Sequence, residues 1–196
     1  MKTSLFHAAG LAAVALAAAL LCGCQASHVA QPLTAKLSGN DPDTQLEFWH
    51  ALAERHVASN DEAFHGLLLY VDGKDDSADY AARVATLKSR KMLPANFNSP
   101  AGNGVQRGVL AVAIVQALHL KGGWVMHVFG NRPRYALREL EFEGVYPPSS
   151  DFQTFSGTEF VGIIGKMEDY QSEGSAPAAP SPELAPASQP APGLTP

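Results

Sequence analysis

Histidine side chains are the strongest candidates for acid–base or metal chemistry in this sequence. None of the seven has a second histidine four residues away with a carboxylate beside it, as a metallopeptidase helix needs. His119 and His127 flank a Gly-Gly turn and can meet in space, with Arg134 beyond them. A metal site needs a third ligand, which no spacing supplies, so a hydrogen-bonded histidine near a helix end is the simpler interpretation. The alternative to a purely structural role for these residues is an enzyme or metal-binding sensor with a site around all three of them.

Arginine and aspartate clusters indicate two further candidate sites. Arg134 lies with two other arginines just after a Gly-Asn turn and is a candidate ligand-binding residue, although glutamates on the same helix can balance these charges. The run Asp72–Asp76 has its carboxylates in the wrong order for an EF-hand calcium loop. It predicts an Asp-Gly turn between helices with solvated acidic side chains.

Nucleophile elbows, phosphate-binding glycine-rich loops and dinucleotide fingerprints are all missing from the sequence. We therefore predict no catalytic residue, no metal and no cofactor. The net charge of −5 also argues against nucleic-acid binding, which requires a basic face.

The first 23 residues have the pattern of an export signal. Lys2 supplies the positive start, and the run from Ala8 to Leu21 is apolar but too short to span a bilayer. The segment ends in Leu21-Cys22-Gly23-Cys24, which resembles the lipobox of bacterial lipoproteins. The resemblance implies cleavage before Cys24 and acylation of its thiol, which would hold the protein on a membrane. An ordinary signal peptide with two incidental cysteines is the alternative.

Residues next to the expected cleavage site add two predictions. By analogy with lipoproteins, Gln25 after the cysteine implies the outer membrane rather than the inner membrane. Cys24 is the only cysteine left after cleavage, so no disulfide or thiol site is expected.

Both flanks of the remaining chain are predicted to be unstructured. Residues 24–41 are mostly polar or small and predict a flexible tether. Residues 172–196 contain seven of the 14 prolines and no aromatic residue, which predicts a disordered tail. Residues 42–171 are enough for one domain with its own core.

Helical periodicity predicts that this domain is mainly α, with about six to seven helices. The expected N-caps of the first three helices are Asp43, Asn60 and Ser77, and the first helix is expected to turn Leu46 and Trp49 inward. Ser156 and Glu159 form a capping-box pattern before the last helix. The expected helices span residues 44–56, 61 to at least 71, 78–91, 106–120, 133–143 and 157–170. Residues 124–129 are compatible with a strand or a short helix.

Three of these helices share a layout that indicates a repeat. Their polar first residues and the apolar residues four positions later are Asn60 and Phe64, Gln106 and Leu110, and Ser156 and Phe160. The intervals of 46 and 50 residues lie in the range of repeat architectures. Upstream, Leu87–Pro94 also matches Leu140–Pro147. A shared amphipathic face explains such an alignment equally well, so the repeat is a hypothesis.

The unit of helix, loop and polar-capped helix resembles the S-layer homology repeat, whose three units pack as a helical bundle. The second helix of that family begins Ile-Thr-Arg-Ala-Glu-Phe-Ala. The stretch from Val105 keeps the arginine as Arg107, the stretch from Phe155 keeps the glutamate as Glu159, and the stretch from Ser59 keeps neither. The resemblance covers residues 46–170 and implies an envelope setting. It makes Arg107 a candidate for binding a cell-wall glycan.

The sequence therefore predicts a membrane-anchored envelope lipoprotein. Its helical domain is expected to be non-enzymatic and to contact an envelope polysaccharide or a protein partner. Arg107 and Arg134 are the candidate ligand-binding residues.

Overall fold

The first helix begins where a capping carboxylate precedes a proline. The computed structural model describes residues 27–29, 33–121 and 130–175, and helix α1 spans Pro42–Ala53. The Asp41 side chain accepts a hydrogen bond from Thr44 N–H. Pro42 is tolerated at the first helical position because an N–H would be unpaired there in any case. The predicted cap at Asp43 is therefore wrong by two residues.

The next two helices also have N-caps close to the predicted residues but not at them. Helix α2 spans Asn60–Asp72 and is capped by Ser59, which forms a capping box with Glu62. Helix α3 spans Tyr80–Ser89 and is capped by Asp79 rather than Ser77. Ser59 stands directly before Asn60, and Asp79 stands two residues after Ser77, so more than one residue able to cap lies near each start.

The last three helices form the second half of the bundle. Helix α4 spans Arg107–Ala117, α5 spans Pro133–Phe142 and α6 spans Gly157–Ser175. The predicted capping box of α6 is confirmed, because Ser156 Oγ accepts from Glu159 N–H at 3.2 Å and the Glu159 carboxylate accepts from Ser156 N–H at 2.8 Å. Helix α6 continues four residues past the predicted domain boundary at residue 171. Residues 124–129 lie outside the described part of the chain.

The described parts of the predicted tether lie on the domain. Ser27 O accepts a hydrogen bond from Gly104 N–H at 2.7 Å, and Val29 N–H donates to Gly102 O at 2.6 Å. Further along, the 3-10 helix Ala35–Leu37 leads into α1, and Leu37 packs against the core. The described segments are therefore held against the domain, whereas the sequence predicted a flexible tether over all of residues 24–41.

One hydrophobic core lies between the six helices, so the mainly α prediction is confirmed for the described residues, which contain no β-strand. Helix α1 contributes Phe48 and Leu52, each 1% exposed, whereas Leu46 is 56% exposed. The prediction that Leu46 points inward is wrong, because Phe48 occupies the buried face. Each such large apolar side chain contributes about 1.5–3 kcal/mol on full burial.

The chain forms three consecutive helix–loop–helix pairs, α1–α2, α3–α4 and α5–α6, and the main helix contacts join one pair to another. The first helix of each pair packs on the second helix of the preceding pair: α3 on α2, α5 on α4, and α1 on α6. The loops inside the pairs, residues 54–59, 90–106 and 143–156, lead to the starts of α2, α4 and α6. Among the described residues, no helix is long and apolar enough to cross a membrane.

Candidate functional site

The starts of α2, α4 and α6 are joined in a cycle by backbone hydrogen bonds. The first N–H of each of these helices donates to a carbonyl in the loop before the next one, in the order α2, α4, α6 and back to α2. Each bond pairs an N–H group that has no partner inside its own helix. These bonds run from Asn60 to Asn103 at 2.8 Å, from Arg107 to Gln153 at 2.7 Å, and from Gly157 to Arg55 at 2.8 Å. We use the name cap ring for these three helix starts together with the loops that they contact.

The cap ring shows which residues of the three helix pairs occupy equivalent positions. The equivalent N-cap residues are Ser59, Gln106 and Ser156. The sequence alignment that began at Asn60 is therefore wrong by one residue in its first unit. In the corrected register Glu62 is equivalent to Glu159. The apolar residues of that alignment, Phe64, Leu110 and Phe160, are all fully buried in the one core.

Glu62 and Glu159 make the same pair of contacts. Each carboxylate uses one oxygen to accept from its own N-cap N–H, at 3.0 Å for Glu62 and 2.8 Å for Glu159. The other oxygen binds an arginine: Arg55 Nε lies 3.0 Å from Glu62, and Arg107 Nη2 lies 2.6 Å from Glu159. These charges at two junctions of the cap ring are thus compensated inside the protein.

Gly157 explains why Arg55 supplies one of these guanidinium groups. This glycine occupies the position of Arg107 in its own unit, and a Cβ atom there would lie 1.6 Å from Leu52 O. A side chain cannot fit at that distance, so the arginine comes from the loop before α2 instead.

Arg107, a predicted ligand-binding residue, is only 6% exposed. Besides Glu159, its guanidinium donates to Thr154 O at 3.3 Å and lies 4.5 Å from the centroid of the Phe155 ring. Ser156 N–H lowers the pKa of Glu159, burial opposes this, and Arg107 adds to the lowering. The arrangement favours a structural role for Arg107 in closing the cap ring.

The junction between α2 and α4 lacks both members of the ion pair. Asn60 stands where the other units place arginine or glycine, and Val109 stands where they place glutamate. A groove of about 270 Å³ opens here, and none of its lining residues is ionisable. We name it the amide groove for its side-chain amides, which belong to Asn60, Asn96, Asn98, Asn103 and Gln106.

Buried contacts hold the loop that forms the amide groove. Tyr80 OH donates to Ser99 O at 2.7 Å, and Asn60 Nδ2 donates to Ser99 Oγ at 3.0 Å. The Phe97 ring packs edge-on against Phe64 with centroids 5.5 Å apart. This stretch, in which an aromatic residue lies between two asparagines, Asn96-Phe97-Asn98, was missed by sequence reasoning.

A second group missed by sequence reasoning is a buried ionic cluster of Asp61, His65, Asp75 and Arg83. His65 Nδ1 lies 2.7 Å from Asp75 Oδ2. Arg83 binds Asp75 through Nε and Asp61 Oδ1 through Nη1, the latter at 2.7 Å. Asp75 N–H also donates to Asn40 Oδ1 at 2.8 Å. The prediction of solvated acidic side chains is therefore wrong for Asp75, which ties α2, α3 and the N-terminal segment together.

The two carboxyl groups of this cluster are shifted in opposite directions. Burial acts to raise the pKa of Asp75, but hydrogen bonds from His65, Arg83 and Ser77 outweigh it and hold that pKa well below 3.8. Burial raises the pKa of Asp61 above 3.8, and the charge of Arg83 offsets only part of this. An Asp–His pair can orient a catalytic base, yet the side chains of Asp75 and His65 are both 0% exposed. The geometry therefore favours a stabilising role.

The alternative site around His119, His127 and Arg134 is only partly described. His119 is exposed, and His127 lies outside the described residues. Arg134 is exposed and lines a shallow cleft with Asp151 and Phe152. No three His, Cys, Asp or Glu side chains are placed to hold a metal ion in the part of the chain that the structure covers.

Comparison with known proteins identifies no relative. No protein-family model, curated protein or solved structure matches this chain. The class of protein must therefore be argued from the cap ring, the amide groove and the sequence.

Proposed function

We propose that this chain is a lipid-anchored envelope protein whose helical domain binds an envelope polysaccharide and is not an enzyme. The cap ring carries the proposal, because three helix pairs joined by equivalent backbone bonds fit the three-unit bundle that the sequence resemblance to S-layer homology repeats implies. That resemblance supports an envelope setting and a glycan ligand. The ligand would be met at the junctions between units.

The anchor in this proposal is the acylated thiol of Cys24, and Gln25 favours the outer membrane. Ser27 lies against Gly104 at the cap ring. Three residues extend at most about 11 Å, so an acylated Cys24 would hold the cap ring near the membrane surface. Several acyl chains are required, because one chain at about 0.8 kcal/mol per buried CH2 binds a membrane only marginally.

Membrane fractionation tests the anchor. We expect the wild-type protein to incorporate radiolabelled palmitate and to sediment with membranes, whereas Cys24→Ser should do neither. Cys22→Ser is the matched control, since it removes the other thiol and leaves the expected attachment site. Unchanged membrane retention of Cys24→Ser would refute lipid anchoring.

Co-sedimentation tests the ligand. Full-length protein in detergent is mixed with insoluble envelope polysaccharide that has been stripped of protein. We expect the protein to sediment with the polysaccharide and to be released by excess soluble fragments of the same material. Absence of any specific sedimentation would contradict the proposed function whatever the state of the anchor.

A further inference from the structure

The three junctions of the cap ring differ in the polar groups that they leave available. At the junctions closed by Glu62 and Glu159, the carboxylates and arginines bind one another. At the α2–α4 junction, Asn96, Asn98 and Gln106 are exposed, and their amides make no hydrogen bond within the described residues. Unused donors and acceptors therefore collect at one junction.

The backbone behind these amides is already ordered. Asn60 and Asn103 both donate to Ser99 Oγ, at 3.0 and 3.4 Å, and Phe97 N–H donates to Pro94 O at 3.0 Å. A ligand would thus find its partners on a fixed loop, which reduces the entropy lost on binding.

We infer that the amide groove binds an uncharged, N-acetylated sugar unit of an envelope glycan. This inference rests on the proposed function and names the ligand class at one site. A side-chain amide offers both a donor and an acceptor, and it can pair with the acetamido group and hydroxyls of such a sugar. The half-buried Phe97 and Val109 provide apolar surface for the C–H face of the ring.

Charge and size restrict the ligand further. None of the lining residues is ionisable, so a charged sugar would lose hydration without gaining an opposite charge. The volume of about 270 Å³ lies just below the usual range for ligand pockets, about 300–1,000 Å³. The groove therefore suits a single sugar unit or a chain end more than a long segment.

A protein partner fits the groove less well. Protein interfaces depend on an anchor side chain that fills a central, desolvated pocket. Here the Phe97 ring is already packed on Phe64, and the amides of the groove lie between its remaining apolar side chains, Pro94 and Val109.

Calorimetric titration of the full-length protein in detergent tests the inference. The probes are the trimers of N-acetylglucosamine, glucosamine and galacturonic acid, which are uncharged, cationic and anionic. We expect measurable binding of the first trimer and at least about tenfold weaker binding of the other two. The double variant Asn96→Ala/Asn98→Ala should weaken binding of the N-acetylated trimer by about tenfold or more, as expected for two lost hydrogen bonds.

Gln116→Ala is the matched control, because Gln116 lies on α4 outside the groove. Its binding should equal that of wild type, and all variants should keep the wild-type melting temperature within about two degrees. Preference for the anionic trimer, or binding unaffected by the double variant, would overturn the inference. If these variants still sediment with envelope polysaccharide like wild type, the proposed function stands and only the assignment of this groove fails.

Discussion

Replacing Asp75 with asparagine should destabilise the protein strongly even though the side chain keeps its shape. Asp75 Oδ2 accepts charge-assisted hydrogen bonds from His65 and Arg83, and Oδ1 accepts from Ser77 N–H at 2.9 Å. Asp75→Asn removes the negative charge and leaves Arg83 buried with Asp61 alone. Removing one partner of a buried ion pair costs about 3–5 kcal/mol, so we expect the free energy of unfolding to fall by about that amount.

Urea denaturation at pH 7 measures this change, and Asp76→Asn provides the control. Asp76 is the next residue, but it forms an exposed pair with Lys74. An exposed pair contributes little, and the control should lie within about 0.5 kcal/mol of wild type. A loss below about 1 kcal/mol for Asp75→Asn would refute the argument that this cluster holds α2 and α3 together.

The pH dependence gives an independent check. The folded pKa of Asp75 is lowered, so the unfolded chain takes up the proton first as the pH falls below 3.8. The stability that Asp75 contributes is present above that pH and is lost as the pH falls toward the folded pKa. Asp61 acts in the opposite direction, because its folded pKa is raised. We expect the acid loss of stability to be shallower in Asp75→Asn than in wild type, and identical profiles would contradict this account.

The cap ring yields two further predictions, both measured by urea or thermal unfolding. Arg107→Ala should lower the free energy of unfolding by about 2–4 kcal/mol, because its buried contacts are lost. Arg138→Ala, which removes a side chain that is 67% exposed, should change stability by less than about 0.5 kcal/mol. Equal effects would contradict a structural role for Arg107. Gly157→Ala places a Cβ atom 1.6 Å from Leu52 O and should cost at least about 3 kcal/mol. Gly162→Ala, with no atom within 4 Å of its Cβ position, should instead stabilise α6 by about 0.5–1 kcal/mol, and effects of the same sign would be contrary to the geometry.

Local sequence signals located the helices but not all of their first residues. The capping box at Ser156 and Glu159 was predictable because both members act within one turn. The start of α2 was not, since Ser59 and Asn60 can both cap and the choice depends on a loop some forty residues away that binds the Asn60 side chain. Interactions within a turn can thus be predicted from sequence, whereas choices between equivalent neighbours depend on tertiary contacts.

The candidate site was harder to predict for the same physical reason. The burial of Asp75 depends on Arg83 and on Asn40, which reach it from two other segments. The amide groove forms where Val109 replaces the glutamate of the other units. The absence of an ionic partner produces no recognisable pattern in a short stretch of sequence. Arg107 was singled out as a candidate ligand-binding residue, but only the fold places its charge against Glu159.

The three junctions of the cap ring show which parts of such a bundle are fixed and which are free to vary. Backbone N–H groups at a buried helix start must be paired, so the cycle of backbone bonds is present at every junction. The side-chain pair follows another rule, because losing one ionic partner is costly whereas replacing both is nearly neutral. At the α2–α4 junction, Asn60 and Val109 replace both partners. At the α6–α2 junction, Arg55 supplies the guanidinium group that Gly157 cannot. Among the described residues, the fully replaced junction leaves the side-chain amides of Asn96, Asn98 and Gln106 without a hydrogen bond, so the amide groove, rather than Arg107, is the place to look for binding.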